Sequence, residues 1–306
     1  MHRLATLLPD GVARRPDLMR ATSATSVTRW LRRGDLVTLF PGVLALPDRT
    51  GDWAVRARGA TIWADAPLSH LSALTAAGLA ALAAGPLHVT VPPERLPRST
   101  ADVIVHRSNR RLTTIQCGAL EVVEPTRSLV DAWAWAHTPA RNPLAQVETG
   151  VIRRAVIEGV RAHGIRTWAL RKDSDGRRLH AGRAPLLALL DLVGGGCESE
   201  LEIWGVTNVL PRPPDAPLVQ QHPVQLAEGR WVRLDAAYPE ARVAVELDGA
   251  AFHGSRQARE RDLRRDTALA ALGWVVLRFS YARLMADPEG CRREIEAVIR
   301  TRLANR

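Results

Sequence analysis

The sequence predicts a multidomain α/β (α+β) protein, and three observations carry that prediction. Residues 1–50 pattern as three short helices followed by a two-stranded hairpin. Residues 51–196 alternate helical and strand periodicities in a mixed α/β region. Residues 197–306 read in the order α-β-β-β-α-β-α, and a strand–helix–strand crossover beside a hairpin makes a mixed sheet with helices on its faces. A chain of 306 residues has room for a core in more than one of these segments.

Composition narrows the function classes. Lys+Arg is 42 against 32 acids, a net charge of +10 that favours a polyanionic partner such as double-stranded DNA. Nearly all of the basic residues are Arg, with Lys172 the single lysine, a bias that a GC-rich genome also produces. No apolar run is long enough to span a membrane and the start lacks a signal-peptide pattern, so a cytoplasmic, membrane-free protein is expected. Cys117, Cys197 and Cys291 form no CxxC or zinc spacing and read as reduced, structural thiols.

In the first segment, residues 2–8 and 11–20 read as helices. Ser23 or Thr25 can cap a third that runs through Arg33 and ends at Gly34, a natural left-handed terminator. Val27, Trp30 and Leu31 share its apolar face, and Thr25, Thr28, Arg29 and Arg32 lie opposite, with Arg33 at its end. Leu36–Phe40 and Val43–Leu46 flank Pro41-Gly42 as a β-wing. Three helices and a wing make a winged helix-turn-helix, and hydroxyls with arginines on the third helix suit a major-groove reader. A small helical domain with a solvated basic face is the bland alternative. The pattern VTRWLRRGDLVTLFPGVLALP resembles the N-terminal winged-helix domain of AbiEi-type antitoxins over about fifty residues. That resemblance implies sequence-specific DNA binding.

The middle segment yields elements but no chemistry. DWAVRARGATIWA and LSHLSALTAAGLAAL read as helices, LHVTVP and DVIVHRS as strands, and LEVVEPTRSLVDAWAWA as a strand running into a helix. Further helices fall around 143–160 and 181–192, and Lys172–Arg178 reads as an exposed loop. His70 reads as a buried, satisfied histidine, because no acid or nucleophile is patterned around it. There is no internal repeat, P-loop or dinucleotide fingerprint.

Chemistry concentrates between Trp231 and His253. Two β-rich runs flank a turn at Pro239–Arg242; the first carries Asp235, the second Glu246 and Asp248. Strand alternation points Glu246 and Asp248 the same way, and hairpin pairing sets Asp235 beside Glu246. Carboxylates so placed repel unless a cation sits between them. Oxygen ligands with His253 nearby suit Mg²⁺ or Mn²⁺. Two surface strands with solvated acids are the alternative, but Glu246 and Asp248 interrupt a run that otherwise reads as buried. Upstream, Ser199 and Glu202 fit a helix capping box.

The element order, with SELE at 199–202, RLD at 233–235, VELDG at 245–249, His253, RDLRRD at 261–266 and GWVVLRF at 273–279, resembles the PD-(D/E)XK nuclease superfamily. It resembles the Vsr-like branch more closely, over about 110 residues. The resemblance implies a restriction-endonuclease-like αβββαβα fold and a metal-dependent DNA endonuclease or nickase. It makes Asp235 and Glu246 the metal carboxylates and Glu202 a further site acid. The superfamily's lysine falls at Asp248, and no lysine is present in this segment. The resemblance gives His253 the substitute role of base or phosphate-side donor. Arg265 is expected either to bind the scissile phosphate or to form a helix salt bridge with Asp262. Because the lysine is missing and the start is antitoxin-like, a catalytically silent DNA-binding regulator with a protein partner from a neighbouring gene is the rival reading. Action on RNA is a third.

Overall fold

The computed structural model describes residues 2–81, 85–95, 97–138, 145–177, 180–227, 229–248 and 256–305. The chain divides into two compact units, Met1–Leu187 and Ala188–Arg306. Among the described residues no helix is long and apolar enough to cross a membrane. The architecture is the mixed α/β (α+β) type that the sequence predicts.

The first unit opens with α1 (His2–Leu7), β1 (Val12–Arg14), α2 (Arg15–Ala21), α3 (Ala24–Arg33), β2 (Val37–Phe40) and β3 (Val43–Ala45). The expected helix at 11–20 is split. Val12–Arg14 pair antiparallel with Val43–Ala45, and α2 starts only at Arg15, with Pro16 in its first turn. The β2–β3 hairpin is therefore part of a three-stranded sheet of order β1-β3-β2. Ser23, not Thr25, caps α3: its hydroxyl accepts from the Ser26 N–H at 3.1 Å. Gly34 closes the helix at φ 75°, where a side chain would be strained. Val27 is fully buried with Leu8, Leu18, Leu36 and Leu44, and Trp30 and Leu31 pack against this cluster. Amphipathic burial, rather than intrinsic propensity, is what holds so short a helix.

The unit continues through α4 (Trp53–Ala64), α5 (His70–Ala76), β4 (Leu87–Val91), β5 (Val103–Arg107), β6 (Thr114–Cys117), β7 (Leu120–Val123), α6 (Pro125–Ala136), α7 (Ala145–Arg161) and α8 (Thr167–Asp175), and the division between the units falls within α9 (Arg183–Gly194). β4 and β5 are parallel, β6 and β7 form an antiparallel hairpin, and Leu68 bridges Val89 and Val122. One core joins Val12, Phe40, Val43 and Ala45 to α4 and to β4, β5 and β7, so the first fifty residues do not fold around a core wholly their own.

Lys172–Asp175 lie in α8 rather than in an exposed loop. The reason is long-range. Asp173 pairs with Arg110 at 2.5 Å and with Arg177 at 2.9 Å, and Arg177 also reaches Asp131 at 2.7 Å. His70 is buried, as expected, with Nδ1 2.9 Å from Ser69 Oγ. It is not isolated, because His88 and His106 pack against it.

The second unit contains α10 (Glu200–Asn208), β8 (Val219–Gln225), β9 (Trp231–Tyr238), β10 (Val243–Asp248), α11 (Arg256–Ala271), β11 (Val275–Ser280), α12 (Tyr281–Ala286) and α13 (Pro288–Ala304). The sheet order is β11-β10-β9-β8. β10 runs parallel to β11 across the α11 crossover and antiparallel to β9. Val243, Ala244 and Val245 are fully buried, as a central strand covered on both faces requires. Leu269 of α11 is fully buried with Leu234, Ala237 and Ala244. Truncating such a leucine to Ala costs about 2–5 kcal/mol. Gly273 ends the crossover helix at φ 80° and turns the chain into β11.

Candidate active site

The site lies where the β9–β10 ladder stops. Pairing runs Val243↔Tyr238, Ala244↔Ala237 and Val245↔Ala236, and the next rung carries Glu246 and Asp235. On the other side of β9, Gln220 pairs with Ala236 and His222 with Leu234. Gln221, between them, is at φ 50°, a left-handed conformation that breaks the ladder opposite Asp235. Ladder closure thus fails on both sides of Asp235, and side chains from α10, β8 and β10 share the opening.

Three carboxylates interact there. Burial raises the Asp235 carboxyl above its ordinary range, and the charges of Glu202 and Glu246 push it further; Arg265 and Arg233 oppose the shift. Glu202 is held by its helix start. Its Oε1 accepts from Ser199 Oγ at 2.7 Å, its Oε2 from the Glu198 N–H at 2.9 Å, and its own N–H donates to Ser199 Oγ at 3.2 Å. This is a capping box shifted by one residue, since the return bond reaches Glu198 rather than the cap itself. Gln221 Nε2 donates to Glu202 Oε2 at 3.2 Å, which leaves Gln221 Oε1 buried without a partner.

Glu246 is flanked by two arginines. Arg265 Nη1 lies 2.7 Å from Oε1, close enough for an ion pair but without hydrogen-bond alignment, and Arg278 Nε donates to Oε2 at 2.7 Å. Arg278 also donates to both oxygens of Asp266, each at 2.8 Å. The alternative expected for Arg265, a bridge to Asp262, is not formed. Its Nη2 donates instead to the Arg233 carbonyl at 3.1 Å, which turns the side chain toward β9 and β10. Asp248 is partly exposed at the end of β10, in register with Ser280 of β11. His253 lies outside the described residues.

Sequence reasoning missed Arg278 and Gln221. Arg278 is the one charge inside the apolar run of β11, a usable signal, but its partner depends on a parallel register that the sequence does not encode. Gln221 had no signal beyond its place in a strand.

The donor set suits a hard divalent cation: carboxylates from Asp235, Glu246 and Glu202, and the orphaned amide oxygen of Gln221. Among the described residues, no three carboxylates come within 4.8 Å of one another, so in this arrangement Arg265 and Arg278 supply the cationic charge at Glu246.

On α3, Thr25, Thr28, Arg29, Arg32 and Arg33 are all exposed. Arg33 pairs with Asp35 at 3.3 Å, while Arg29 and Arg32 form no ion pair among the described residues.

No curated protein matches the chain significantly. The crystal structure of the RV2827C protein from Mycobacterium tuberculosis is similar over 63% of this chain and 76% of its own, at 20% identity and a TM-score of 0.42. Residues 222–299, from β8 to α13, match the model of the family REase_MTES_1575, so the second unit carries a restriction endonuclease-like domain, which supports a nuclease function.

Proposed function

We propose that the chain is a metal-dependent DNA endonuclease or nickase whose residues 1–50 act as a winged-helix DNA-binding element. The observation that carries the reading is the convergence of Asp235, Glu246 and Glu202 at the interrupted end of the mixed sheet, with Asp235 raised by burial first and then by its acidic neighbours. Asp235 and Glu246 would hold Mg²⁺ or Mn²⁺. When bound, such an ion acidifies a water and neutralises charge that builds on the phosphate. Arg265 would exchange Glu246 for the scissile phosphate, a geometry in which a guanidinium fork binds oxygens in pairs. Arg278 would keep Glu246 oriented. Asp248 stands where a lysine is usual, so His253 would take the proton of the attacking water or donate to the leaving oxygen.

The test is plasmid cleavage with Mg²⁺ or Mn²⁺. Asp235→Ala and Glu246→Ala should abolish nicking, and parental rates in both would place the site elsewhere. His253→Ala should lose at least about tenfold in rate.

One observation favours a second reading. Both Glu246 oxygens already meet arginines, as expected of a carboxylate with a structural task. A DNA-binding regulator with an inert nuclease-like unit, or an antitoxin-like protein paired with a neighbouring gene's product, would bind its own promoter and cleave nothing with any metal.

A further inference from the structure

The first unit buries three histidines together. His70 opens α5, His88 lies on β4 and His106 on β5, and one ligand nitrogen from each falls within 4.8 Å of the others. His88 Nδ1 and His106 Nε2 are 2.9 Å apart. Ring centroids of His70 and His106 are 3.5 Å apart, and those of His88 and His106 5.2 Å. Rings this close leave no space among them for an organic ligand, but a single ion needs only ligand nitrogens about 3.4 Å apart, as tetrahedral bonds of ~2.1 Å give. We propose that His70, His88 and His106 form a structural site for a divalent transition metal of the imidazole-binding class, with Zn²⁺ the first candidate, tying the start of α5 to β4 and β5.

Four features support the site. First, His88 is incompletely satisfied: Nδ1 meets only His106 Nε2 at 2.9 Å and Nε2 is buried without a hydrogen-bond partner, so either nitrogen is open to a ligand role. Second, His70 is held at φ 50°, a conformation uncommon for a residue with a side chain and often found where function over-determines the backbone. Third, the surroundings hold the ring-bearing backbone in place. The Ser69 N–H donates to the His88 carbonyl at 2.9 Å, the His88 N–H donates to Ser72 Oγ at 2.8 Å, and Trp135 stands edge-on to His106. Fourth, burial pushes the basicity of all three imidazoles down, His88 to about 4, so they are neutral at pH 7, the form that ligates metal.

The ligand chemistry separates this site from the acidic one. Neutral imidazoles favour zinc, cobalt, nickel or copper over magnesium. Asp131, the nearby anion, is already paired with Arg127 at 2.6 Å and Arg177 at 2.7 Å, so the imidazoles rather than a counter-charge would hold the ion. Binding asks His88 Nδ1 and His106 Nε2 to open from 2.9 Å to about 3.4 Å and the His70 ring to turn out of its stack on His106, with a fourth ligand from solvent.

The full chain, stripped with chelator and dialysed against Zn²⁺ or Co²⁺, tests the proposal. About one tightly held metal per chain by elemental analysis is expected, with visible Co²⁺ absorption of a nitrogen-ligated, tetrahedral type. Tm should rise on Zn²⁺ addition and fall back with EDTA. His88→Gln and His106→Gln should lose the metal and the Tm response, while Asp235→Ala with Glu246→Ala should keep both, which separates failure here from failure of the nuclease reading. If the variants fail to fold, the reversible Tm response and the Co²⁺ spectrum of the parent chain decide alone. No stoichiometric Zn²⁺ or Co²⁺ binding, metal retained by the histidine variants, or a Tm response to inorganic phosphate in place of metal would overturn the proposal.

Discussion

Arg278 and Glu246 are register partners across the parallel β10–β11 ladder, and Nε of the one donates to Oε2 of the other at 2.7 Å. The same guanidinium grips Asp266 on α11 with its other two nitrogens. A single side chain therefore fixes the site's glutamate to the crossover helix. Arg278→Ala is expected to leave Glu246 with Arg265 alone and to cost about 1–2 kcal/mol, the pair being only partly buried. Arg278→Lys keeps the charge but not the three-way fork and should recover only part of the loss. Urea unfolding of the two variants checks the order; equal stability of Ala, Lys and parent would show that the network is ornamental.

Asp235 carries opposite consequences for stability and for chemistry. A carboxyl raised above its unfolded value is stabilised by protonation, so the ionised group costs the fold stability as pH climbs past the unfolded value and through the raised one. Asp235→Asn removes that cost. In EDTA at neutral pH its Tm should exceed the parent's by a few degrees, since about 1 kcal/mol shifts a unit of this size by roughly 3–5 °C. Below the unfolded carboxyl range the two should converge. Scanning calorimetry against pH reads both limits, and a lower Tm at neutral pH would mean that Asp235 makes a stabilising contact the acidic neighbours do not reveal. A variant that is more stable and also fails to nick DNA would mark an acid kept for function.

Much of the second unit was legible because its strands are short apolar runs punctuated by glycine or proline, and its crossover helix ends on Gly273. Hairpin logic put Asp235 beside Glu246; the paired ladder stops one step short of them, and the charge of Glu246 acts on Asp235. What escaped depended on distance in sequence. α8 looked like a loop because KDSDG is polar, and it is ordered by Arg110, more than sixty residues upstream. β6 escaped because it is mostly exposed and shows no alternation. The histidine cluster escaped because its members are on three elements, and only the parallel β4–β5 register and the Leu68 bridge bring them together.

Arg29 and Arg32 are exposed on α3 and unpaired among the described residues, so binding DNA through them breaks no ion pair identified in the fold. Each phosphate contact releases condensed counterions and adds about 0.9 to the slope of log K against log salt. Arg29→Ala with Arg32→Ala should therefore flatten the slope by about 2 and leave Tm unchanged. Fluorescence anisotropy on a duplex over a salt series measures it. An unaltered slope would move the DNA contact off this helix face.

His180 gives the first unit an acid-sensitive joint that can be tested apart from any metal. Its Nδ1 is 2.6 Å from Ser174 Oγ, and Ser174 is fully buried on α8. Burial lowers His180 to about 4, with Arg177 and Arg183 adding to the shift and Asp173 and Asp131 opposing it. The unfolded imidazole titrates near 6.5. Between these values the unfolded chain binds the extra proton, so stability is full above about pH 6.5 and drains as pH falls toward 4. His180→Gln cannot take that proton and keeps a polar group for Ser174. In chelator, the drop in stability from pH 7 to pH 4.5 should be smaller in this variant, by about 1–2 kcal/mol after allowing for partial solvent screening. Urea titrations at the two pH values give the difference directly. A variant that loses stability as steeply as the parent would assign the acid sensitivity to other groups and leave His180 a spectator.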